Sequence, residues 1–114
     1  MDTYEMSLLY DFYGDLLTER QKLCFDLHYN QDLSLGEIAS ELGISRQSVY
    51  DNISRSEALL RNMEEKTGCV ERLMKSRKVI GRIRELAAEL SLSSDSAAVN
   101  IAAHLLDAVN ALEE

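Results

Sequence analysis

The sequence lacks the residues that interrupt regular structure: its 114 residues include no proline and only five glycines, and tryptophan is also absent. A protein built from many short strands needs turn residues at short intervals, so this scarcity argues against a mainly β fold. The apolar runs also fall short of the roughly 18–20 residues that a transmembrane helix requires. Hydrophobic residues nevertheless make up 46% of the chain, which is enough for a core. We therefore predict an all-α fold, organised as a single domain over residues 1–114.

Basic residues are scarce as well. Twelve lysines and arginines are outnumbered by 20 acidic residues, which gives a net charge of −8. A field of this sign repels phosphate and argues against a general cationic coat for nucleic acid, although it is compatible with a local basic face. The two cysteines, Cys24 and Cys69, are too few for a disulfide framework and suit a reducing compartment. We expect a cytoplasmic protein without a membrane span.

Helical periodicity and capping residues divide the chain into six predicted helices. Thr18 with Gln21, and Ser34 with Glu37, have the spacing of a capping box, in which each side chain accepts a hydrogen bond from the other residue's backbone N–H. Gly43 follows the third helix, where a residue with a left-handed backbone often ends a helix. The predicted helices span about residues 4–17, 19–29, 35–43, 46–68, 70–90 and 95–112.

The turn between the third and fourth predicted helices carries the most specific pattern in the chain. A helix-turn-helix needs a small residue where its helices touch, a glycine in the turn and an apolar anchor on the second helix. Ala39, Gly43 and Val49 meet these needs in one register, which two ordinary packed helices would not require. We predict a helix-turn-helix unit over residues 4–67, followed by a C-terminal helical pair over residues 70–112. The other inward positions of the motif are Ile38, Leu42, Ile44 and Ile53.

Residues 17–61 resemble region four of bacterial sigma factors, and residues 4–64 resemble the YlxM family of small helix-turn-helix proteins more closely. The segment 45–53, with the sequence SRQSVYDNI, is similar to that family's signature. The resemblance implies an accessory or regulatory protein of the signal recognition particle pathway. The partners it implies are nucleic acid, either DNA or the RNA of the particle, and the particle's protein subunit. The other segments that carry the resemblance are LYDFY at 9–13, CFDLHY at 24–29, SLGEIA at 34–39 and GISR at 43–46.

The second helix of the motif has candidate nucleic-acid-binding side chains but a balanced charge. Between residues 45 and 57, two arginines are offset by Asp51 and Glu57. Glutamine can read adenine and arginine can hold guanine or phosphate, whereas Asp51 opposes a nearby phosphate. The motif therefore serves either sequence-specific DNA recognition or, as the alternative, a structural or protein-interaction role. The candidate residues on this helix are Arg46, Gln47, Ser48, Tyr50, Asn52 and Arg55.

Half of the basic residues lie in the fifth predicted helix. Residues 71–90 contain six bases and three acids, which is a net charge of +3. One interpretation is the solvated face of an amphipathic helix. The other is a strip that contacts the phosphates of RNA or DNA, or that docks an acidic protein. The six candidates are Arg72, Lys75, Arg77, Lys78, Arg82 and Arg84.

The C-terminal helical pair is expected to join two chains as a homodimer. Each helix has an apolar seam that one helical partner covers only in part, and symmetric dimers are the commonest oligomers. A monomer would instead fold both seams against Leu9, Tyr10 and Tyr13 of the first helix. The seam positions are Leu73, Ile80, Ile83, Ala87 and Leu90 in one helix, and Val99, Ala102, Leu105, Leu106 and Val109 in the other.

No catalytic or metal-binding pattern accompanies these features. Cys24 and His28 are four residues apart on one predicted helix, but two ligands are fewer than a structural zinc site uses. The sequence shows no nucleophile–base set, phosphate-binding glycine loop or supported carboxylate pair. We expect no enzyme, no cofactor and no metal. Three functions stay open: an accessory protein of the signal recognition particle that binds nucleic acid, a transcription regulator that uses Arg46, Gln47, Asn52 and Arg55 on DNA, and a helical adaptor that binds only protein.

Overall fold

The computed structural model describes residues 3–113 and confirms the all-α fold. Six α-helices and one short 3₁₀ helix account for most of these residues, and no strand occurs among them. Residues 1, 2 and 114, which the single-domain prediction also covers, lie outside the described residues. The helices are α1 (Thr3–Tyr13), α2 (Glu19–Tyr29), α3 (Leu35–Leu42), α4 (Arg46–Thr67), α5 (Cys69–Leu90) and α6 (Ser96–Leu112), with the 3₁₀ helix at Gly14–Leu16.

Side chains cap the starts of α2 and α3 as the sequence predicts. The backbone N–H of Gln21 donates to Thr18 Oγ1 at 3.2 Å, and the N–H of Thr18 donates to Gln21 Oε1 at 2.9 Å. Ser34 and Glu37 form the same reciprocal pair, with both distances at 3.1 Å. Both capping boxes are confirmed. Because each box satisfies two backbone donors that a helix start leaves without an internal acceptor, it fixes where the helix begins.

The first helix is shorter than the sequence predicts. Periodicity suggests a helix to about residue 17, but α1 ends at Tyr13 and the 3₁₀ helix follows. Gly14 is a weak helix former, and a Cβ at this position would lie only 3.3 Å from Cδ2 of Tyr10. Leu17 then has an extended backbone. The chain thereby reaches Thr18 in the extended conformation that a helix N-cap requires.

The chain divides into two compact units, Met1–Val70 and Glu71–Glu114. The first unit contains α1 to α4 and the main hydrophobic core. The expectation that both units behave as a single domain stays a prediction. One cluster of buried side chains joins α2, α3 and α4, and it consists of Cys24, Leu27, Ile38, Ala39, Val49 and Ile53.

Aromatic rings fill the space between α1 and α2. Tyr10 stacks on Phe25 with ring centroids 4.6 Å apart, and Phe25 stacks on Tyr29 at 4.4 Å. Phe25 is fully buried. Such ring pairs add about 0.5–1.5 kcal/mol each beyond the area that they bury, so this stack holds α1 against α2.

The second unit is the antiparallel pair of α5 and α6. The turn between the helices is followed by Asp95, whose side chain accepts the N–H of Ala97 at 3.0 Å and caps α6. Arg84 on α5 donates to Glu113 at 2.7 Å and to Asn110 at 2.9 Å. These two bonds tie α5 to the C-terminal end of α6.

The predicted seams of α5 and α6 are only partly buried. Ala87, Ala102 and Val109 are buried as expected, and Ile80, Ile83 and Leu106 are intermediate. Four seam positions are exposed in the single chain, Leu73, Leu90, Val99 and Leu105, as expected if one helical partner covers each seam only in part; their burial by a second copy stays a prediction. The physical reason is that two helices contact each other along one line only, so an apolar stripe wider than that line stays in solvent.

Within residues 3–113, no helix combines the length and apolarity that crossing a bilayer demands.

Candidate nucleic-acid interface

The turn between α3 and α4 has the geometry of a helix-turn-helix. Gly43 ends α3 in the left-handed region, with φ 68° and ψ 34°. The backbone N–H of Ile44 returns to the carbonyl of Ala39 at 3.1 Å. Ser45 then caps α4 by accepting the N–H of Ser48 at 3.0 Å. Ala39 and Val49 are both buried in the same cluster, so the predicted register is present in the fold.

The exposed side of α4 brings most of the predicted recognition residues together. Arg46, Gln47, Tyr50 and Arg55 are exposed, while Ser48 and Asn52 are half-buried. A shallow polar groove of about 290 Å³ lies along this side of the helix. Its lining residues are Ser45, Gln47, Ser48, Asp51, Asn52 and Arg55.

The two amides that were candidates for reading bases are engaged inside α4. Gln47 Nε2 donates to Asp51 Oδ1 at 3.0 Å, and Asn52 Nδ2 donates to the carbonyl of Ser48 at 2.8 Å. A bidentate contact with adenine uses both the amide NH₂ and the amide oxygen. Either residue would therefore have to exchange an internal hydrogen bond for one to a base.

The other candidates on α4 occupy different surroundings. The guanidinium of Arg46 lies over the first turn of α3, where its Nε would be 3.7 Å from a Cβ added at Gly36. Tyr50 is 54% exposed and presents a ring on which a base could stack. Within residues 3–113, Arg55 takes part in no ion pair.

The first helix of the motif, α3, adds exposed acidic residues that the charge balance of α4 alone does not include. Glu37 and Glu41 are exposed on α3, which carries no basic residue. With Asp51 they outnumber the two arginines of α4, Arg46 and Arg55. The signal was available in the sequence, because the two helices of this motif pack side by side and their charges must be counted together. The surface of the motif is therefore weakly acidic.

The six basic residues of α5 do not form one strip. At 3.6 residues per turn, Arg77 and Arg84 fall on one side of the line that packs against α6. Lys75, Lys78 and Arg82 fall on the face of α5 opposite that line, with Arg72 at the edge of this face, and we call these four the cationic stripe. Arg84 is held by Glu113 and Asn110, so it serves the packing of the second unit.

Ion pairs within the cationic stripe are exposed. Lys75 lies 3.2 Å from Glu71, and Arg82 lies 3.2 Å from Glu85. Exposed pairs of this kind contribute about 0–1 kcal/mol, so a phosphate could displace either glutamate at small cost. Lys78 has no ion pair among residues 3–113. The stripe can thus present cations to a polyanion.

Cys24 and His28 lie one turn apart on α2. Cys24 is buried, and burial raises the pKa of its thiol. His28 Nδ1 lies 3.0 Å from the carbonyl of Leu33. In the part of the chain that the structure describes, no three histidine, cysteine, aspartate or glutamate side chains are grouped so as to hold a metal ion.

Comparison with known proteins agrees with this geometry. Residues 1–98 match the model of the family UPF0122, described as "Putative helix-turn-helix protein, YlxM / p13 like". A UPF0122 protein of Acetivibrio thermocellus is 50% identical over 93 residues, which cover 82% of this chain and 80% of that protein. UPF0122 proteins of Bacillus cereus strain AH187 and Bacillus anthracis strain A0248 are each 44% identical over 87 residues, covering 76% of this chain and 79% of theirs.

The chain belongs to the UPF0122 family. The family match includes the whole helix-turn-helix unit and all of α5, and it ends at residue 98, near the start of α6. The resemblance to YlxM proteins, first drawn from segments between residues 9 and 53, is thereby confirmed. The description of the family supports a nucleic-acid-binding role for the chain.

Proposed function

We propose that this UPF0122 protein is a nucleic-acid-binding accessory or regulatory protein of the signal recognition particle pathway, and that it holds RNA by its phosphates. The observation that carries the proposal is the cationic stripe of α5, next in the chain to a helix-turn-helix unit. Phosphate contacts supply affinity without reading sequence. The stripe offers four cations that can contact successive phosphates, although Glu71, Glu85 and Glu89 lie among them and would have to give way.

The helix-turn-helix unit supports sequence-specific DNA reading less well. Gln47 and Asn52 already hold hydrogen bonds within α4. Asp51 lines the groove of α4 and would repel a phosphate bound there, and the exposed Glu37 and Glu41 of α3 add to the negative charge of the motif. A transcription regulator that reads promoter DNA is therefore the weaker candidate.

The same acidic residues favour a second candidate, a helical adaptor that binds protein without nucleic acid. An acidic surface suits a partner with lysines or arginines. The protein subunit of the signal recognition particle is the partner that the family resemblance suggests. In this second candidate the cationic stripe is only a solvated helix face.

We also propose that the chain acts as a homodimer. Two copies present two cationic stripes to one RNA, and linked binding sites raise the effective affinity without any new contact. A dimer therefore strengthens a binding mode in which each phosphate contact is weak.

The test measures binding of the full chain to three fluorescent probes: the particle RNA, a promoter DNA and a random duplex. RNA binding that weakens linearly with the logarithm of salt concentration supports the proposal. Tighter binding to one promoter sequence than to the random duplex would favour the transcription regulator. No binding to any probe at low salt would overturn the proposal in favour of the adaptor.

The cationic stripe has matched controls in the same chain. Lys78→Glu with Arg82→Glu should weaken RNA binding strongly, because four units of charge change on the stripe. Lys66→Glu with Arg77→Glu changes the net charge equally, on α4 and on the other side of α5. This control pair should weaken binding much less. Equal losses from both pairs would mean that only net charge matters and would remove the stripe from the interface.

A further inference from the structure

The second unit leaves large apolar side chains in solvent after α5 and α6 have packed together. The residues that it buries are small: Ala87, Ala102 and Val109. Six larger residues of α5 and α6 stay 38–71% exposed. We call them the hairpin face, and they are Val79, Leu86, Leu90, Ile101, Leu105 and Leu112.

The members of the hairpin face follow a regular spacing. Val79, Leu86 and Leu90 with half-buried Ile83 recur at intervals of four, three and four residues along α5. Ile101, Leu105 and Leu112, with Ala108, repeat the same intervals along α6. This is the period of a seam that packs against another helix. Each helix thus has a second seam in addition to the one that faces its neighbour.

Both seams lie on the same side of the helix pair. The line along which α5 and α6 touch passes through the buried Ala87 on α5 and through Ala102 and Val109 on α6. At 3.6 residues per turn, the second seam of each helix lies about 80° around the helix from this contact line. The rotation has the same sense in both helices when each is viewed from its own N-terminus. The two helices are antiparallel, so rotation in the same sense brings both seams to one side. Val79 and Ile83 of α5 line one groove, of about 650 Å³, with Leu112 of α6, and the charged residues that also line it are Lys75, Arg77 and Glu113.

The size and charge of the hairpin face suit a second copy of this chain. Six half-exposed aliphatic side chains present on the order of 500 Å² of apolar surface, as large as the largest patch on a typical monomer. Flanking alanines and aliphatic stems enlarge this patch. A standard interface buries about 800 Å² on each partner, so the patch supplies a large share of the area that a stable dimer needs. Residues 71–114 contain six bases and seven acids, so two copies of this unit do not repel each other. Two copies of the first unit would repel each other, because it contains six bases and 13 acids.

We infer that the hairpin face pairs with the hairpin face of a second copy, so that two α5–α6 pairs form a four-helix bundle. The inference rests on the homodimer proposed above and names its interface. A symmetric dimer uses the same patch on both chains, and four helices packed in this way enclose one apolar core. The cationic stripe lies beside the hairpin face, so Lys78 and Arg82 stay on the outside of the bundle.

Sedimentation equilibrium of the full chain at micromolar concentration tests the inference. The parent should have twice the chain mass of 12.9 kDa. Leu86→Glu and Leu105→Glu should each shift the dissociation constant of the dimer at least tenfold towards monomer. Leu92→Glu is the matched control, because Leu92 is exposed in the turn of the same unit and should leave the dimer intact. Circular dichroism of each variant verifies that its helices are retained.

A second measurement needs no variant. Methyl NMR spectra of the parent, recorded on dilution, should show concentration-dependent shifts at Leu86 and Leu105 and none at Leu16 and Leu23, which are exposed in the first unit. A parent that sediments as a monomer throughout the micromolar range would contradict both the homodimer and this interface. If the dimer persists in both glutamate variants and the methyl groups of Leu86 and Leu105 do not shift, the chain is a homodimer but the hairpin face is not its interface.

Discussion

The hydroxyl of Tyr13 donates a hydrogen bond to Glu64 Oε1 at 2.8 Å, and 51 residues separate the two in the chain. The same carboxylate oxygen accepts the backbone N–H of Val70 at 3.0 Å, and the Tyr13 hydroxyl also contacts Thr67. The end of α1 is therefore joined to the end of α4 and to the first turn of α5. None of this was visible in the sequence, because no local pattern marks a pair so far apart.

Tyr13→Phe should lower the free energy of unfolding by about 1–2 kcal/mol. The ring still fits, but Glu64 and Thr67 lose a hydrogen-bond partner in a partly buried position. Urea unfolding monitored by circular dichroism measures the change, with Tyr4→Phe as the control because Tyr4 is mostly exposed. Equal stability of the Tyr13 variant and the parent would show that the junction contributes nothing.

Ala39→Leu should destabilise the chain by roughly 1–3 kcal/mol. Ala39 is 7% exposed and lies in the cluster that joins α2, α3 and α4, so a larger side chain overpacks the contact between the helices. Thermal unfolding followed at 222 nm reports the loss. Ala58→Leu is a suitable control, since position 58 is exposed on α4. If both variants melt with the parent, α3 and α4 do not meet at Ala39.

Gly43→Val should also destabilise the chain, because valine is strained in the left-handed backbone conformation. Gly43→Asn serves as the comparison that separates this strain from the effect of adding a side chain. A Cβ at Gly43 would meet nothing within 4 Å, so the cost comes from its φ of 68° and not from crowding. Asparagine tolerates the left-handed region much better than a β-branched residue. The melting temperature should fall in the order glycine, asparagine, valine. A valine variant as stable as the asparagine variant would contradict a left-handed turn.

The chain should lose stability as the pH rises from about 10 to about 12. Burial, followed by the hydrogen bond to the Glu57 carboxylate, raises the pKa of Tyr29 to about 12. A phenol in the unfolded chain ionises near pH 10. Between these values the unfolded state releases a proton that the folded state retains, so unfolding becomes easier with pH. Urea titrations at pH 8 to 12 should show this decline, and Tyr29→Phe should reduce it. A Tyr29→Phe slope equal to that of the parent would contradict the assignment.

Replacing Lys78 by glutamine should reduce the slope of log affinity against log salt by about one for duplex nucleic acid, and by less for a single strand. A variant that neutralises one phosphate fewer also releases one counterion fewer when it binds. Lys66→Gln should leave the slope unchanged. Fluorescence anisotropy over a salt series gives both values, and identical slopes for the two variants would exclude Lys78 from the interface with nucleic acid.

Local signals in the sequence predicted the helix boundaries well. Thr18, Ser34 and Gly43 act on the backbone within three or four residues, so their effect depends little on the rest of the fold. The predicted end of α1 was wrong, because the helix stops where the ring of Tyr10 packs close to Gly14, and periodicity does not encode such a packing contact. Periodicity likewise identified apolar faces on α5 and α6 without saying which part of each face the neighbouring helix covers.

The candidate site was predicted less completely than the fold. Sequence reasoning selected Gln47 and Asn52 by residue type, but their engagement by Asp51 and by the carbonyl of Ser48 depends on side-chain rotamers. It also grouped six bases of α5 as one strip. Counting around the helix separates Arg77 and Arg84 from the rest, and only the fold shows that Arg84 is bound to Glu113.

The division of the chain at Val70 has a consequence for its synthesis. Every side chain of the α2–α3–α4 cluster comes from residues 24–53, and these leave the ribosome before any of α6 is made. Helical units with mostly local contacts fold in microseconds to milliseconds, whereas translation adds about 5–20 residues per second. The helix-turn-helix unit therefore has seconds in which to fold while the second unit is still being translated, and nascent chains can acquire it before the α5–α6 pair exists.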